Sequence, residues 1–312
     1  MFLQLCRLRA QYILPEELML EDLFSYGFCY DRTVEFINNR RRACPILRVI
    51  PMGKSSCGRK LPAVAIGNLR NPVLFAAGFS ADDRVSVLLL LRFLSDITDQ
   101  SDSQGIIAAG NLPKFFERSG LILLPMVNPD GFEIASQGAD TAGYLKKLVQ
   151  MLQNRAEGNW NSSATGVDLS RNYDIAFDFD AAYKKRAGEP GFPGSRPESE
   201  AETKAVTRLC SAFRPKRVVE FRTPGEAVLS AYGRNASPNT RISGELLANS
   251  CGYSLLNPSE SFERGSFKDW FTSHSGREGY TIKAGRSSPV PEEDLEPLYA
   301  RLMQTMLLCM VL

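Results

Sequence analysis

The sequence predicts an α/β protein on a largely parallel or mixed sheet, and two observations carry that expectation. Residues 71–79 (NPVLFAAGF) and 120–127 (GLILLPMV) are unbroken apolar runs, the pattern of strands covered on both faces. Between such runs lie segments with the 3.6-residue period of amphipathic helices, 199–213 (SEAETKAVTRLCSAF) being the clearest. With 312 residues, 44% hydrophobic and 23% charged, the chain has a globular composition and the length for one large core. No internal repeat or composition shift divides it, so a single domain over 29–312 is expected. Residues 1–28 have no clear period and read as an N-terminal extension packed on the main body.

From residue 30 onward the elements follow in order. Asp31 can cap a helix over 33–42, with Pro45 soon after it. Residues 46–53 (ILRVIPMG) and 60–68 (KLPAVAIGN) read as two β runs around Ser55-Ser56-Cys57-Gly58, a hairpin signal. The apolar run at 71–79 feeds a helix over 81–97, and a second helix near 111–118 leads into the run at 120–127. NPDG at 128–131 reads as a turn. A helix is expected over 139–155, then a long loop rich in Gly, Pro, Asn and Ser over 156–197. After the helix at 199–213 come strands at 216–223 and 226–233, a helix over 238–250, a strand at 279–285 and a closing helix over 291–311.

Composition also excludes functions. Lys plus Arg number 37 against 35 Asp plus Glu, for a net charge of +2, so no electrostatic case exists for a nucleic-acid partner. The basic run Arg40-Arg41-Arg42, at three residues as long as any in the chain, reads as a solvated helix end. Seven cysteines, with no CxxC and no metal-ligand spacing, read as reduced and mostly buried thiols. No run of about 18 apolar residues suggests a membrane span. The first residues lack the basic stretch and cleavage site of a signal peptide, so a cytoplasmic location is expected. The chain has one histidine, His274. A zinc centre built on two or three histidines therefore cannot be assembled within one copy.

Six segments now acquire a joint meaning: 53–67 (GKSSCGRKLPAVAIG), 125–133 (PMVNPDGFE), 166–174 (GVDLSRNYD), 192–203 (FPGSRPESEAET), 265–271 (GSFKDWF) and 280–291 (YTIKAGRSSPVP). In this order they resemble the zinc carboxypeptidase family, in particular its bacterial γ-D-glutamyl-diamino-acid peptidase branch. The resemblance implies a carboxypeptidase-like, mixed and mostly parallel sheet of about eight strands with helices on both faces. It further implies which positions should bear the chemistry. The family's first zinc pair, His-x-x-Glu after a strand ending in Ala-Gly, falls on Ser80 and Asp83, and its second zinc histidine on Arg222. The general-base glutamate of Thr-Ile-Glu falls on Lys283. Of the Asn-Arg clamp for a substrate carboxylate, Arg171 is kept and the Asn is Ser170, while a further cationic position is Asn161 after Trp160. No tyrosine occupies 258–262, where the family carries a mobile one.

Serine is a poor zinc ligand, and a guanidinium at the metal position repels the ion. Lysine in place of the base removes the acceptor of the water proton. The resemblance thus implies a degenerate, non-catalytic member without zinc or another cofactor. In it, Arg222 and Lys283 replace the metal's charge, Asp83 pairs with them, and Asp168 is a supporting carboxylate accepting from Ser80 or a nearby amide. Arg171, Ser170, Arg222, Lys283 and Asn161 would then hold an acidic or carboxylate-bearing peptide, such as a cell-wall fragment. Two alternatives stand beside this. One is a divergent peptidase or amidase with a rewired site, for instance Ser80 activated by Lys283. The other is a structural or interaction protein in which these residues merely fill the cleft. His274 reads as a surface histidine in a polar loop, and Asp178 and Asp180 as loop solvation.

Overall fold

Eight strands form one sheet: β1 (Arg48–Val49), β2 (Val64–Gly67), β3 (Val73–Ala76), β4 (Gly120–Leu124), β5 (Arg217–Arg222), β6 (Ala227–Ser230), β7 (Ser254–Leu256) and β8 (Glu278–Lys283). Their spatial order is β1-β2-β4-β3-β5-β8-β6-β7. The computed structural model describes residues 29–98, 112–156, 158–231, 239–261 and 263–312. The extension expected over 1–28 lies outside the described residues. The central strands β4, β3, β5 and β8 run parallel, as do β6 and β7, while β1, β2 and the β6–β8 pair are antiparallel. The expected α/β architecture with a mixed, mostly parallel sheet is therefore the one observed.

The unbroken apolar runs have a direct cause. All residues of β3 and β4 are buried, because alternate side chains enter two different cores. Val73, Phe75, Leu121, Leu123, Phe221 and Ile282 face one core, closed by helices α1 (Tyr30–Ala43), α2 (Arg84–Thr98) and, at the chain's end, Leu295–Val311. Leu74, Ala76, Ile122, Leu124 and Val218 face the other, closed by helices Ala201–Phe213 and Phe267–Ser275. In chain order the remaining helices are α3 (Leu112–Arg118), α4 (Pro129–Gln137), α5 (Lys146–Gln153), α6 (Phe179–Lys184), α7 (Ala201–Phe213), α8 (Asn239–Cys251), α9 (Pro258–Ser261), α10 (Phe267–Ser275) and α11 (Leu295–Val311).

Several local expectations are corrected. NPDG is not a free turn but the start of α4: Asn128 Oδ1 accepts from Gly131 N at 2.9 Å, and Pro129 takes the first helical position. Helix α1 starts at Tyr30 with Cys29 at its N-cap and no side-chain cap from its own sequence. Glu133 Oε1 accepts from Tyr30 N at 2.7 Å instead, a cap supplied by a distant residue. Arg40 is buried, donating to Thr98 Oγ1 at 2.8 Å and to Ser95 O at 3.0 Å, so the basic run is not wholly solvated. The helix expected over 139–155 is a 3₁₀ stretch, Ala139–Leu145, followed by α5. Asp178 caps α6 through Ala181 N at 3.0 Å, and Asp180 pairs with Lys184 at 2.8 Å. Strand β7 was not expected. Cys44, Cys210, Cys251 and Cys309 are buried free thiols. Among the described residues no helix is long and apolar enough to cross a membrane.

Candidate functional site

The carboxyl ends of β3, β5 and β8 lie together, which is where open α/β sheets present ligand sites. Strand register fixes what is placed there: Arg222 pairs with Lys283 and Glu220 with Thr281. Residues two apart on a strand share a face, so all four side chains stand on the face of Val218. Two cations on adjacent strands repel. Glu263 bridges them, with Oε2 3.4 Å from Arg222 Nη1 and Oε1 3.4 Å from Lys283 Nζ. Glu220 lies deeper, 1% exposed, with Oε1 3.7 Å from Arg222 Nε and Oε2 accepting from Thr281 Oγ1 at 3.3 Å.

Burial and charge set the protonation of these acids. Burial pushes the Glu220 carboxyl up to about 7 despite the opposing pull of Arg222. Burial also pushes Glu263 upward, but Arg222 and Lys283 outweigh it and hold this carboxyl below the usual range. For Arg222, burial disfavours the cation, and Glu220 and Glu263 reverse the balance, so its guanidinium holds its proton more tightly than usual.

A second group adjoins this one. Asp168 caps the short 3₁₀ turn Leu169–Arg171, its Oδ1 accepting from Ser170 N at 3.0 Å and Ser170 Oγ at 2.6 Å. Its Oδ2 lies 3.3 Å from Arg171 Nε. Ser170 Oγ also accepts from Arg222 Nη2 at 3.4 Å, joining the two groups. Gly265 lets the Glu263 segment approach: at φ +70°, a Cβ there would sit 2.0 Å from Arg171 O. Gly265 O accepts from Tyr173 N at 2.9 Å, locking the segment against residues 171–175.

The structure thus brings Asp168, Ser170, Arg171, Arg222 and Lys283 together, and several expected pairings are corrected. Asp83 is buried but does not pair with Arg222 or Lys283; it accepts from Thr223 N at 3.0 Å, Thr223 Oγ1 at 2.7 Å and Ser86 N at 3.1 Å. Burial raises its carboxyl above the ordinary value against those hydrogen bonds. The ion-pair role expected of Asp83 belongs to Glu263 and Glu220. Of the two donors expected for Asp168, the nearby amide is the one found, that of Ser170 at 3.0 Å, while Ser80 Oγ donates to Asp82 Oδ1 at 2.6 Å. Asn161 lies beside the turn after β3, its carbonyl accepting from Ala81 N at 3.1 Å and its Oδ1 from Ser162 Oγ at 3.2 Å. His274 is in the last turn of α10, not in a loop, at the opposite end of β8.

The zinc carboxypeptidase family profile matches residues 33–305. The chain belongs to the zinc carboxypeptidase family. It is 24% identical over 277 residues to γ-D-glutamyl-L-diamino acid endopeptidase 1 of Lysinibacillus sphaericus, covering 88% of this chain and 69% of that one. Bovine thrombin-activatable fibrinolysis inhibitor, solved with tick carboxypeptidase inhibitor, superposes with a TM-score of 0.73 at 16% identity, over 92% of this chain and 97% of that one. Murein-tripeptide amidase MpaA of Escherichia coli O157 gives a TM-score of 0.52 at 22% identity, over 84% and 91%. Both likenesses are of fold.

A zinc carboxypeptidase implies a zinc ion, and the donors at Ser80, Asp83 and Arg222 do not fit one. The Asp83 carboxylate is taken by three hydrogen bonds, the Ser80 hydroxyl is given to Asp82, and Arg222 presents a cation. Among the described residues no group of three or more His, Cys, Asp or Glu side chains could hold a metal ion.

Proposed function

We propose that this zinc carboxypeptidase homologue is a non-catalytic protein that binds a carboxylate-bearing peptide. The observation that carries the reading is Arg171. Its side chain is 45% exposed, its Nε pairs with Asp168, and its two terminal nitrogens have no partner among the described residues. That leaves a planar two-pronged donor suited to a carboxylate. The family resemblance assigns Arg222 to a zinc-ligand position and Lys283 to that of the general base, and the Glu263 carboxylate lies between the two cations with Glu220 beneath Arg222. The two cations supply a fixed polar floor and no proton acceptor for water. The names of the relatives suggest the ligand class, a γ-D-glutamyl or murein peptide. The Ser80–Lys283 alternative is not favoured, because Ser80 is engaged by Asp82 and Lys283 by Glu263.

The test is titration calorimetry of protein purified without chelator, using murein tripeptide as probe, with metal content and tripeptide hydrolysis measured on the same sample. Binding without hydrolysis and without stoichiometric zinc is expected, and Arg171→Ala should weaken it about tenfold or more, the loss of a charged two-point contact. One zinc per chain, turnover of the tripeptide, or binding indifferent to Arg171→Ala would each reject the proposal.

A further inference from the structure

A second cleft, of about 510 Å³, opens at the amino ends of β5 and β8, the far end of the sheet from Arg222 and Lys283. It lies between the last turns of α7 and α10 and the connections that follow them, and its lining includes Arg214, Trp270, His274 and Arg277. No acidic side chain is among the lining residues. The contrast with the first site is in charge compensation. There, Arg171, Arg222 and Lys283 each have a carboxylate partner. Here Arg214 makes no side-chain hydrogen bond or ion pair among the described residues, and Arg277 Nη1 donates only to the carbonyls of Arg214 and Pro215.

Those carbonyl contacts pin the Arg277 guanidinium in place without neutralising it. Arg214 follows α7 at φ 48°, a left-handed conformation uncommon outside glycine, and there its carbonyl receives Arg277. His274 is exposed, yet its ring is fixed: it lies 5.1 Å from the Trp270 ring at 33°. Its Nδ1 is 2.9 Å from Trp270 O. A carbonyl only accepts, so Nδ1 carries the proton, and Nε2 has no partner among the described residues. Cations near helix C-termini often serve only to offset the dipole. Each dipole amounts to about half a charge, so two helix ends offset at most about one of the two guanidinium charges and leave about one positive charge uncompensated. The volume is that of a small-molecule site rather than of a single ion.

We infer that this cleft binds a small phosphate-bearing molecule with a flat ring, of the size of a mononucleotide. The phosphate is received by Arg214 and Arg277, and the ring lies against the His274–Trp270 pair. This site is independent of the peptide site proposed above.

The single histidine is the reporter, since its imidazole gives unambiguous NMR signals. The full chain is titrated with adenosine 5′-monophosphate, and with inorganic phosphate and adenosine as the two halves of the probe. A saturable shift of the His274 signals is expected, with half-saturation below about 1 mM, and about tenfold weaker binding of each half. Arg214→Gln, which removes no internal contact, should weaken the nucleotide about tenfold, while Arg171→Ala should leave it unchanged. Arg277→Gln should weaken it too, but it also removes the two carbonyl contacts, so the decision rests on Arg214→Gln. No saturable shift up to about 10 mM, equal shifts in Arg214→Gln, or inorganic phosphate binding as tightly as the nucleotide would overturn the inference.

Discussion

Glu263 occupies the space between Arg222 and Lys283 that a ligand carboxylate would otherwise fill. An incoming carboxylate therefore competes with one already in place. Glu263→Gln keeps the shape and removes the charge, so both cations become available. Affinity for murein tripeptide should rise about tenfold by calorimetry, while urea unfolding should report a loss of about 1–2 kcal/mol from the repulsion left behind. Unchanged affinity would show that the peptide carboxylate does not reach this pair. The two cations were legible in the sequence because they end strands whose apolar runs fix their position. Glu220 was legible in principle as well, since strand alternation places it on the same face as Arg222. Glu263 was not, for it arrives from a loop 41 residues beyond Arg222, held by Gly265 and by Asp269, whose Oδ2 accepts from Glu263 N at 3.2 Å. A contact made only by tertiary approach leaves no local pattern.

Among the elements, starts and stops were harder to read than existence, and α4 shows why. Asn, Pro, Asp and Gly favour a turn and a helix start by the same local hydrogen bonds, and only the residues that follow decide. Helix α7 raises a different point, because its first turn holds a buried acid. Glu202 Oε1 accepts from Ser56 N at 3.2 Å, and Oε2 has no partner. Opposite it, buried Asp130 holds the same loop through Ser55 Oγ and Cys57 N, each at 2.7 Å, and pairs with Arg59 at 2.9 Å. Burial, reinforced by the charges of Asp130 and Glu200, pushes the Glu202 carboxyl up to about 7 from 4.5. A group whose pKa is raised on folding contributes stability in full below the unfolded value, and the contribution is lost as pH rises through the folded value. Glu202→Gln mimics the neutral form. It should flatten the decline in stability between about pH 5 and about pH 8, and exceed the parent at the upper end by on the order of 1–3 kcal/mol. Urea midpoints measured across that range check this, and parallel curves for parent and variant would refute it.

For the molecule as a whole, the two ends of the central strands differ in how their charge is balanced. At the carboxyl ends, cations and carboxylates are interleaved until little net charge remains; at the amino ends of β5 and β8, Arg217 and Glu278 pair with each other, while Arg214 and Arg277 in the cleft have no acidic partner among the described residues. The sheet itself was legible because buried parallel strands must be apolar throughout, whereas neither balance could be read from a sequence in which basic and acidic residues number 37 and 35. The interleaved end makes a prediction about metal. A ligand that binds only the folded state stabilises it by an amount set by its concentration over its dissociation constant. A carboxypeptidase-type site with free zinc at a thousandfold excess over its Kd would gain about 4 kcal/mol, and several degrees in Tm for a chain of this size. At the Ser80, Asp83 and Arg222 locus, zinc must displace three hydrogen bonds from Asp83 and approach a guanidinium held in its charged form by Glu220 and Glu263. The Tm should therefore be the same with micromolar zinc as with chelator. A rise of about 5 °C or more that disappears on Asp83→Asn would mean that the ion pairs yield to the metal, and that the family's chemistry survives in this chain.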